Sequence, residues 1–165
     1  MKTIQQILLF AGFAFLLSSC KKEAGPAGPM GNANITSIIF NNPIVSGTVF
    51  DDSLPGVTYS SLSNSLLLTY IQDDMCPDTW YSVPGLGCIA LYTARVFTYH
   101  KSNDTITTYL TLELRNPDGN FLQYGRTITK LRVIVAPAST LVTGKKEPVD
   151  FNDYKATMNY FGLKE

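Results

Sequence analysis

The chain of 165 residues has few of the side chains on which most enzymes and nucleic-acid-binding proteins depend. It has a single histidine, His100, and no Ser or Cys in a recognisable nucleophile motif. Thirteen basic residues balance thirteen acidic ones, so no basic excess favours nucleic acid. No second Cys or His stands at ligand spacing, so no metal site is indicated. We therefore expect no cofactor, no metal and no nucleic-acid partner.

Long apolar runs are also missing. The most apolar stretch, residues 7–17, is shorter than the roughly 20 residues that a transmembrane helix needs. It follows the positive charge of Lys2 and precedes small residues, which is the pattern of a secretory signal peptide. We assign residues 1–19 to this signal peptide.

Cysteine is scarce, and the first of the three stands at the end of that segment. The run Leu17-Ser18-Ser19-Cys20 resembles the bacterial lipobox. This resemblance implies that Cys20 receives a diacylglyceryl group, becomes the first residue after cleavage and is acylated on its amine. Several acyl chains together anchor a protein stably to a membrane. Lys21 favours the outer membrane, and the alternative is an ordinary signal peptide with a chance cysteine.

Residues 20–33 form a short spacer rich in Gly and Pro. Gly25, Gly28 and Gly31 keep the three-residue period of collagen. Three triplets are too few to hold a triple helix against the loss of chain entropy, so we expect a semi-rigid spacer that spans up to ~40 Å. A short collagen-like oligomerisation tag is the alternative.

The other two cysteines, Cys76 and Cys88, form an even pair in a chain expected in an oxidising compartment. Pro and Gly residues between them allow the chain to turn back. We predict a disulfide with Cα atoms about 5.5–6 Å apart, and the alternative is two free buried thiols.

The stretch from residue 34 to 165 has the length of one domain and a composition typical of β structure. Residues 105–115 and 129–136 alternate between apolar and polar side chains, which predicts half-buried strands. Residues 89–100 are predicted to pair with 105–115 as a hairpin, with Arg95 near Glu113. We therefore predict a mainly β fold, an antiparallel β-sandwich with a short C-terminal helix. Further strands are expected at residues 35–40, 66–71 and 80–83.

The C-terminal segment alone has helical spacing. Phe151, Tyr154, Met158 and Phe161 recur at intervals of three and four residues, and Asp150 is the expected N-cap. Gly162 is expected to end the helix. We interpret the apolar stripe as core packing.

Several short segments together resemble a family of uncharacterised, collagen-like lipoproteins of Bacteroidetes. They are the lipobox, the Gly-Pro triplets followed by GNANI, and the later segments LLLTYI, TWYSVPG, LRVIVAP and DYKATMNYFG. The resemblance implies an envelope lipoprotein and no catalytic activity. The Cys76–Cys88 loop is an insertion relative to the family pattern.

These observations predict a non-catalytic, structural or interaction lipoprotein of the cell envelope. The first alternative is a module that binds a glycan or a protein through aromatic rings, with Trp80 and Tyr81 as the candidate contacts. Tyr92 and Tyr99 are further candidates. The second alternative is a hydrolase that uses the acidic pairs at residues 51–52 and 73–74.

Two three-residue motifs resemble the O-glycosylation signal of Bacteroidetes, which is Asp, then Ser or Thr, then an apolar residue. They lie at residues 52–54 and 104–106. The resemblance implies modification of Ser53 and Thr105, which we expect at loop edges.

Overall fold

The computed structural model describes residues 34–45, 47–122, 125–142 and 149–165, and for residues 141 and 142 only the backbone. The predicted signal peptide, Cys20 and the predicted spacer all lie outside these residues. The described residues form eight strands and three short helices. These are β1 (Thr36–Asn41), β2 (Val49–Thr58), α1 (Tyr59–Leu62), β3 (Ser65–Asp73), β4 (Tyr81–Val83), β5 (Gly85–Leu86), β6 (Thr93–Lys101), β7 (Asp104–Arg115), β8 (Ile128–Pro137), α2 (Ala138–Val142) and α3 (Tyr154–Phe161).

The strands form two antiparallel sheets of four strands each. Sheet 1 has the order β1-β8-β3-β4, and sheet 2 has the order β2-β7-β6-β5. The predicted β-sandwich with a short C-terminal helix is therefore confirmed. The predicted hairpin is present as β6 and β7, with Ala94 opposite Leu114 and Val96 opposite Leu112.

The main core lies between the two sheets. Strand β7 turns Leu110, Leu112 and Leu114 inward, and all three are fully buried. Strand β8 contributes Leu131 and Val133 from the opposite sheet. Period-two alternation produces this arrangement, because successive side chains of a strand point to opposite faces.

A second apolar cluster lies on the other side of sheet 1. Helix α3 packs Met158 and Phe161 against Tyr70, Ile134 and other residues of the outward face. Strand β3 is therefore covered on both faces, which explains why its sequence is apolar without alternation. The outer face of sheet 2 has no such helix among the described residues.

The structure corrects three details of the sequence prediction. The N-cap of α3 is Asp153, which accepts a hydrogen bond from the amide of Ala156, and not Asp150. Residues 88–90 form a single 3₁₀ turn, so β6 begins at Thr93 and not at residue 89. Strand β2 was not predicted, because its acidic residues, its Pro and its Gly hide the pattern of a strand.

The register places the entry of the chain at one end of sheet 1. Thr36 of β1 lies opposite Val135 of β8, and Leu67 of β3 lies on the other side of Val135. At the opposite end of the sheet, Gln72 lies opposite Lys130. The described residues contain no helix with the length and apolar character that crossing a membrane requires.

Candidate functional site

A cleft of about 240 Å³ opens at the end of sheet 1 that lies away from Thr36. One wall is the segment that leads into β4, and the other is the segment that leads into α3 together with its first turn. Because the two walls come from distant parts of the sequence, the cleft depends on the packing of α3 against sheet 1. It is lined by Asp78, Thr79, Trp80, Asn152, Asp153, Tyr154 and Lys155.

Two aromatic rings form the apolar part of the cleft. Trp80 and Tyr154 are stacked, with ring centroids 4.4 Å apart and planes inclined by 16°. Trp80 is half-buried, whereas Tyr154 is buried. The ammonium group of Lys130 lies 5.9 Å from the centroid of the Trp80 ring. Stacking fixes the orientation of the indole without the use of its polar N–H group.

A buried arginine holds Tyr154 in place. The guanidinium of Arg132 donates to the hydroxyl of Tyr154 at 2.6 Å, to the hydroxyl of Ser37 at 3.1 Å and to the carbonyl of Lys164 at 2.7 Å. Burial raises the pKa of Tyr154, and the hydrogen bond from Arg132 opposes that rise. Arg132 therefore links β1, α3 and the C-terminal residues below the aromatic pair.

A disulfide closes the loop that carries the first wall. Cys76 and Cys88 are bonded, with Cα atoms 6.0 Å apart, so the predicted bridge is confirmed. Inside this loop, the amide of Thr79 donates to the carbonyl of Cys76 at 3.1 Å. The disulfide thus limits the freedom of Asp78, Thr79 and Trp80, which lie a few residues after Cys76.

A buried carboxylate supports the base of the same loop. Asp73 accepts hydrogen bonds from the amides of Met75 (3.1 Å) and Cys76 (2.9 Å) and from the hydroxyl of Tyr92 (2.7 Å). Burial, followed by the hydrogen bond to Asp73, raises the pKa of Tyr92. Gly87 lies against the Tyr92 ring so closely that no Cβ atom fits there. Although Asp73 lies near both sulfur atoms, these are joined to each other and not available as thiolate ligands.

Several polar groups of the cleft are not used to hold the fold. Within the described part of the chain, the side chains of Asp78, Thr79 and Lys155 and the indole N–H of Trp80 have no hydrogen-bond or ion-pair partner. They provide one carboxylate, one hydroxyl, one ammonium and one N–H donor. The cleft can therefore form hydrogen bonds to a ligand on both the donor and the acceptor side.

The outer face of sheet 2 contrasts with the cleft. Asp51 accepts from the hydroxyls of Tyr99 (2.7 Å) and Thr111 (2.8 Å), and the hydrogen bond that Tyr99 donates to Asp51 is the main reason why the pKa of Tyr99 is raised. Glu113 pairs with Arg115 and Arg95, which lowers the pKa of its carboxyl group. Exposed rings are present on this face, but these polar groups are bonded to one another.

The structure separates the residues that the sequence proposed as ligand contacts. Trp80 borders the cleft, whereas Tyr81, the next residue, turns inward and packs against the main core. Tyr92 is buried, and Tyr99 is half-buried on the outer face of sheet 2. His100 is exposed in β6, with its ring 4.7 Å from that of Tyr59.

The acidic pairs and the proposed glycosylation sites lie elsewhere. Asp52 and Asp74 are exposed. Ser53 lies within the edge strand β2 and not at the edge of a loop, since β2 extends from residue 49 to 58. Thr105 is exposed in the second position of β7, next to the turn that joins β6 and β7.

Sequence reasoning missed most of the cleft. It identified Trp80, but it did not identify Asp78, Asn152 or Lys155, and it treated Tyr154 as core alone. No pattern within either segment indicates that residues 78–80 and 152–155 meet. Only the packing of α3 against the end of sheet 1 brings them together.

Comparison of the chain with protein-family models, curated proteins and solved structures found no match. The resemblance to the Bacteroidetes lipoproteins therefore stays a prediction from the sequence.

Proposed function

We propose that this protein is a non-catalytic, lipid-anchored binding module of the bacterial cell envelope. Its ligand site is the cleft between the segment before β4 and the first turn of α3. The spacer of residues 20–33 holds the domain away from the membrane in which Cys20 is anchored. The role is to bind a ligand near the membrane and not to transform it.

The observation that carries this proposal is the difference in how polar groups are used. On the outer face of sheet 2, the carboxylates of Asp51 and Glu113 are bonded to neighbouring side chains. In the cleft, the groups of Asp78, Thr79 and Lys155 are without partners among the described residues and lie beside an aromatic wall. A concave site with a few convergent polar groups is the usual form of a ligand site.

The environments of the carboxylates support a binding role over a hydrolytic one. A pair of carboxylates on both sides of one bond is the arrangement that glycoside hydrolysis requires. Of the two acidic pairs, Asp73 is occupied by two amides and a tyrosine, and Asp51 by two hydroxyls. In the cleft, Asp153 caps α3 and is therefore not free to act as a second acid or base beside Asp78.

The anchor is tested by mass spectrometry of the mature protein from its native host. We expect the first residue to be Cys20, with acyl groups on its sulfur and its amine. The variant Cys20→Ser is expected to leave the membrane fraction or to remain unprocessed. An unmodified N-terminus at another residue would overturn the anchored form of the proposal.

The site is tested with the fluorescence of Trp80. The chain has one tryptophan, so its tryptophan emission reports on the cleft alone. The purified protein is titrated with three fractions of its own envelope: polysaccharide, peptidoglycan fragments and peptides from digested envelope proteins. We expect at least one fraction to change the emission in a saturable way.

A matched pair of variants shows where such binding takes place. Asp78→Asn removes a free carboxylate of the cleft, and Asp52→Asn removes an exposed carboxylate of strand β2. We expect the first variant to weaken binding and the second to leave it unchanged. If no fraction changes the emission of Trp80, or if both variants behave alike, the proposed site is wrong.

A further inference from the structure

We infer that the ligand of the cleft is a glycan, bound through one uncharged pyranose ring. This inference rests on the proposed function, because it assigns a ligand class to the same site. Four observations carry it: the size of the cleft, its aromatic wall, the three consecutive residues with unbonded polar groups on one side of it, and its balanced charge.

The size of the cleft limits the ligand to a small unit. Sites for drug-sized molecules have volumes of about 300–1,000 Å³. The cleft, at about 240 Å³, lies just below that range and opens to solvent along the surface. It therefore fits one ring, while the rest of a longer chain extends outside.

The aromatic wall suits the apolar face of a sugar. The face of an aromatic ring is electron-rich and attracts the weakly positive C–H groups of a pyranose. Tyr154 is buried and covers one face of the Trp80 ring, so the sugar would contact the part of the half-buried indole that is turned away from Tyr154. Trp80 is held by its stack on Tyr154, and Tyr154 is held by Arg132, so the wall is fixed before a ligand arrives. Such preorganisation lowers the entropic cost of binding.

The uncommitted polar groups suit neighbouring hydroxyls. A hydroxyl group both donates and accepts. Asp78 accepts only, the Trp80 indole N–H and Lys155 donate only, and Thr79 does both. Because consecutive residues 78, 79 and 80 supply three of these groups on one wall, adjacent hydroxyls of one ring can be bound together. An apolar peptide side chain could form a hydrogen bond with none of the four groups.

The charges at the cleft balance. Two carboxylates, Asp78 and Asp153, and one ammonium, Lys155, line it, and the ammonium of Lys130 lies 5.9 Å from the centroid of the Trp80 ring. An uncharged ring leaves this balance unchanged, whereas a uronic acid adds a carboxylate for which the cleft has no surplus cation. A neutral hexose is therefore the preferred ring.

The experiment uses the protein purified in a detergent that contains no sugar, and it follows the emission of Trp80. The probes are methyl β-glucopyranoside, methyl β-galactopyranoside and glucuronic acid, with a short apolar peptide as a fourth probe. We expect saturable binding of a neutral glycoside with a dissociation constant on the order of 1 mM, as is usual for a ligand of this size. We expect glucuronic acid to bind no more tightly than the neutral glycosides, because the cleft has no surplus of positive charge.

Two variants and a control connect the binding to the cleft. Asp78→Asn and Lys155→Met are each expected to weaken binding of the neutral glycoside about tenfold. Phe97→Ala is the control, because Phe97 is an exposed ring on the outer face of sheet 2 and is far from Trp80 in the fold. Its affinity is expected to equal that of the unaltered protein. Circular dichroism confirms that each variant is folded.

The outcomes separate the two proposals. Saturable binding of a neutral glycoside that is lost in Asp78→Asn supports both. Binding of the peptide, or of peptide fractions only, contradicts the glycan inference but still supports the proposed binding function. If neither the glycosides nor any envelope fraction changes the emission of Trp80, both are wrong.

Discussion

The outer faces of the two sheets carry the same kinds of side chain and use them in opposite ways. On sheet 1, Arg132 is buried below α3 and donates to three neutral groups. On sheet 2, Arg95 is exposed and pairs with the carboxylate of Glu113 at 2.7 Å. Helix α3 covers one face, so the arginine there is buried and bound by groups of the fold, whereas the arginine on the uncovered face forms an ion pair at the surface.

A matched pair of tyrosines shows the same contrast. The hydroxyl of Tyr92 and that of Tyr99 each donate to an aspartate at 2.7 Å. The first pair, with Asp73, is buried at the base of the disulfide loop, and the second, with Asp51, lies on the open face of sheet 2. Equal distances therefore do not mean equal contributions to the free energy of unfolding, since burial decides what replaces a lost hydrogen bond.

The largest effect on stability is expected from substitution of Arg132, and Arg95 is its exposed counterpart. Arg132→Met removes three hydrogen bonds from a charged group, so we expect the free energy of unfolding to fall by about 3 kcal/mol. Arg95→Met removes an exposed ion pair, and we expect a change of less than about 1 kcal/mol. Urea denaturation measures both. Equal losses in the two variants would contradict the contrast between the faces.

The two tyrosines provide a sharper comparison, because the same atom is removed from the same type of bond. Tyr92→Phe leaves a buried carboxylate with one partner fewer, and we expect a loss of about 1–2 kcal/mol. For Tyr99→Phe we expect less than about 0.5 kcal/mol, because water replaces the hydroxyl beside Asp51. Urea denaturation at neutral pH measures both losses. A larger loss in Tyr99→Phe would mean that the hydrogen bond to Asp51, and not the one to Asp73, contributes more to stability.

Alkaline pH tests the buried tyrosines without substitution. Burial raises the pKa of Tyr70, Tyr92 and Tyr154 above the ordinary value near 10. Because the folded pKa is the higher one, the stability that these groups contribute is fully present below about pH 10 and is lost as the pH rises beyond it. We expect a constant free energy of unfolding from pH 7 to 9 and a decline above pH 10.

The variant Tyr92→Phe makes the alkaline experiment specific. This variant lacks one tyrosine whose hydroxyl ionises in the unfolded chain but stays protonated in the folded protein. Its free energy of unfolding should therefore decline less steeply above pH 10 than that of the unaltered protein. A slope that does not change would mean that Tyr92 titrates normally in the folded protein.

The smallest effect on stability is expected from substitution of Glu113 on the outer face of sheet 2. Glu113 has a lowered pKa because Arg115 and Arg95 donate to it. The stability that it contributes is present above its unfolded pKa and is lost as the pH falls through the lower, folded value. The two ion pairs of Glu113 lie at the surface, with the Arg95 side chain 45% exposed and that of Glu113 12% exposed. Because water and salt reach them and Gln can still accept a hydrogen bond, we expect Glu113→Gln to cost less than about 0.5 kcal/mol and the cost to shrink in 1 M salt.

The sequence predicted the parts of the fold that have a regular pattern. Strand β7 alternates over most of its length, and residues 130–133 of β8 alternate as well, so the position and the inward residues of both strands could be predicted from the sequence. The disulfide followed from the pairing of the only two cysteines outside the lipobox. Gly162 ends α3 in a left-handed conformation, as its position suggested.

The remainder depends on contacts between distant segments. Strand β2 carries Asp51, Asp52 and Pro55, and it is a strand because it pairs with β7 at the edge of sheet 2. The polar residues on one face of β8 predicted a face exposed to solvent, yet α3 covers Arg132 on that face. The cleft needs α3 to lie beside Trp80, and nothing within either segment encodes that approach.

The end at which the chain enters sheet 1 has a mechanical consequence. Strand β1 leaves toward the spacer at Thr36, and the cleft lies at the opposite end of the same sheet. A pull between an anchored spacer and a ligand in the cleft would therefore run along the strands, across the ladder between β1 and β8. Antiparallel hydrogen bonds lie perpendicular to the strands, so such a pull would shear all of them at once instead of opening them one by one. If the protein is anchored and binds its ligand as proposed, the domain would therefore resist a load between its two ends.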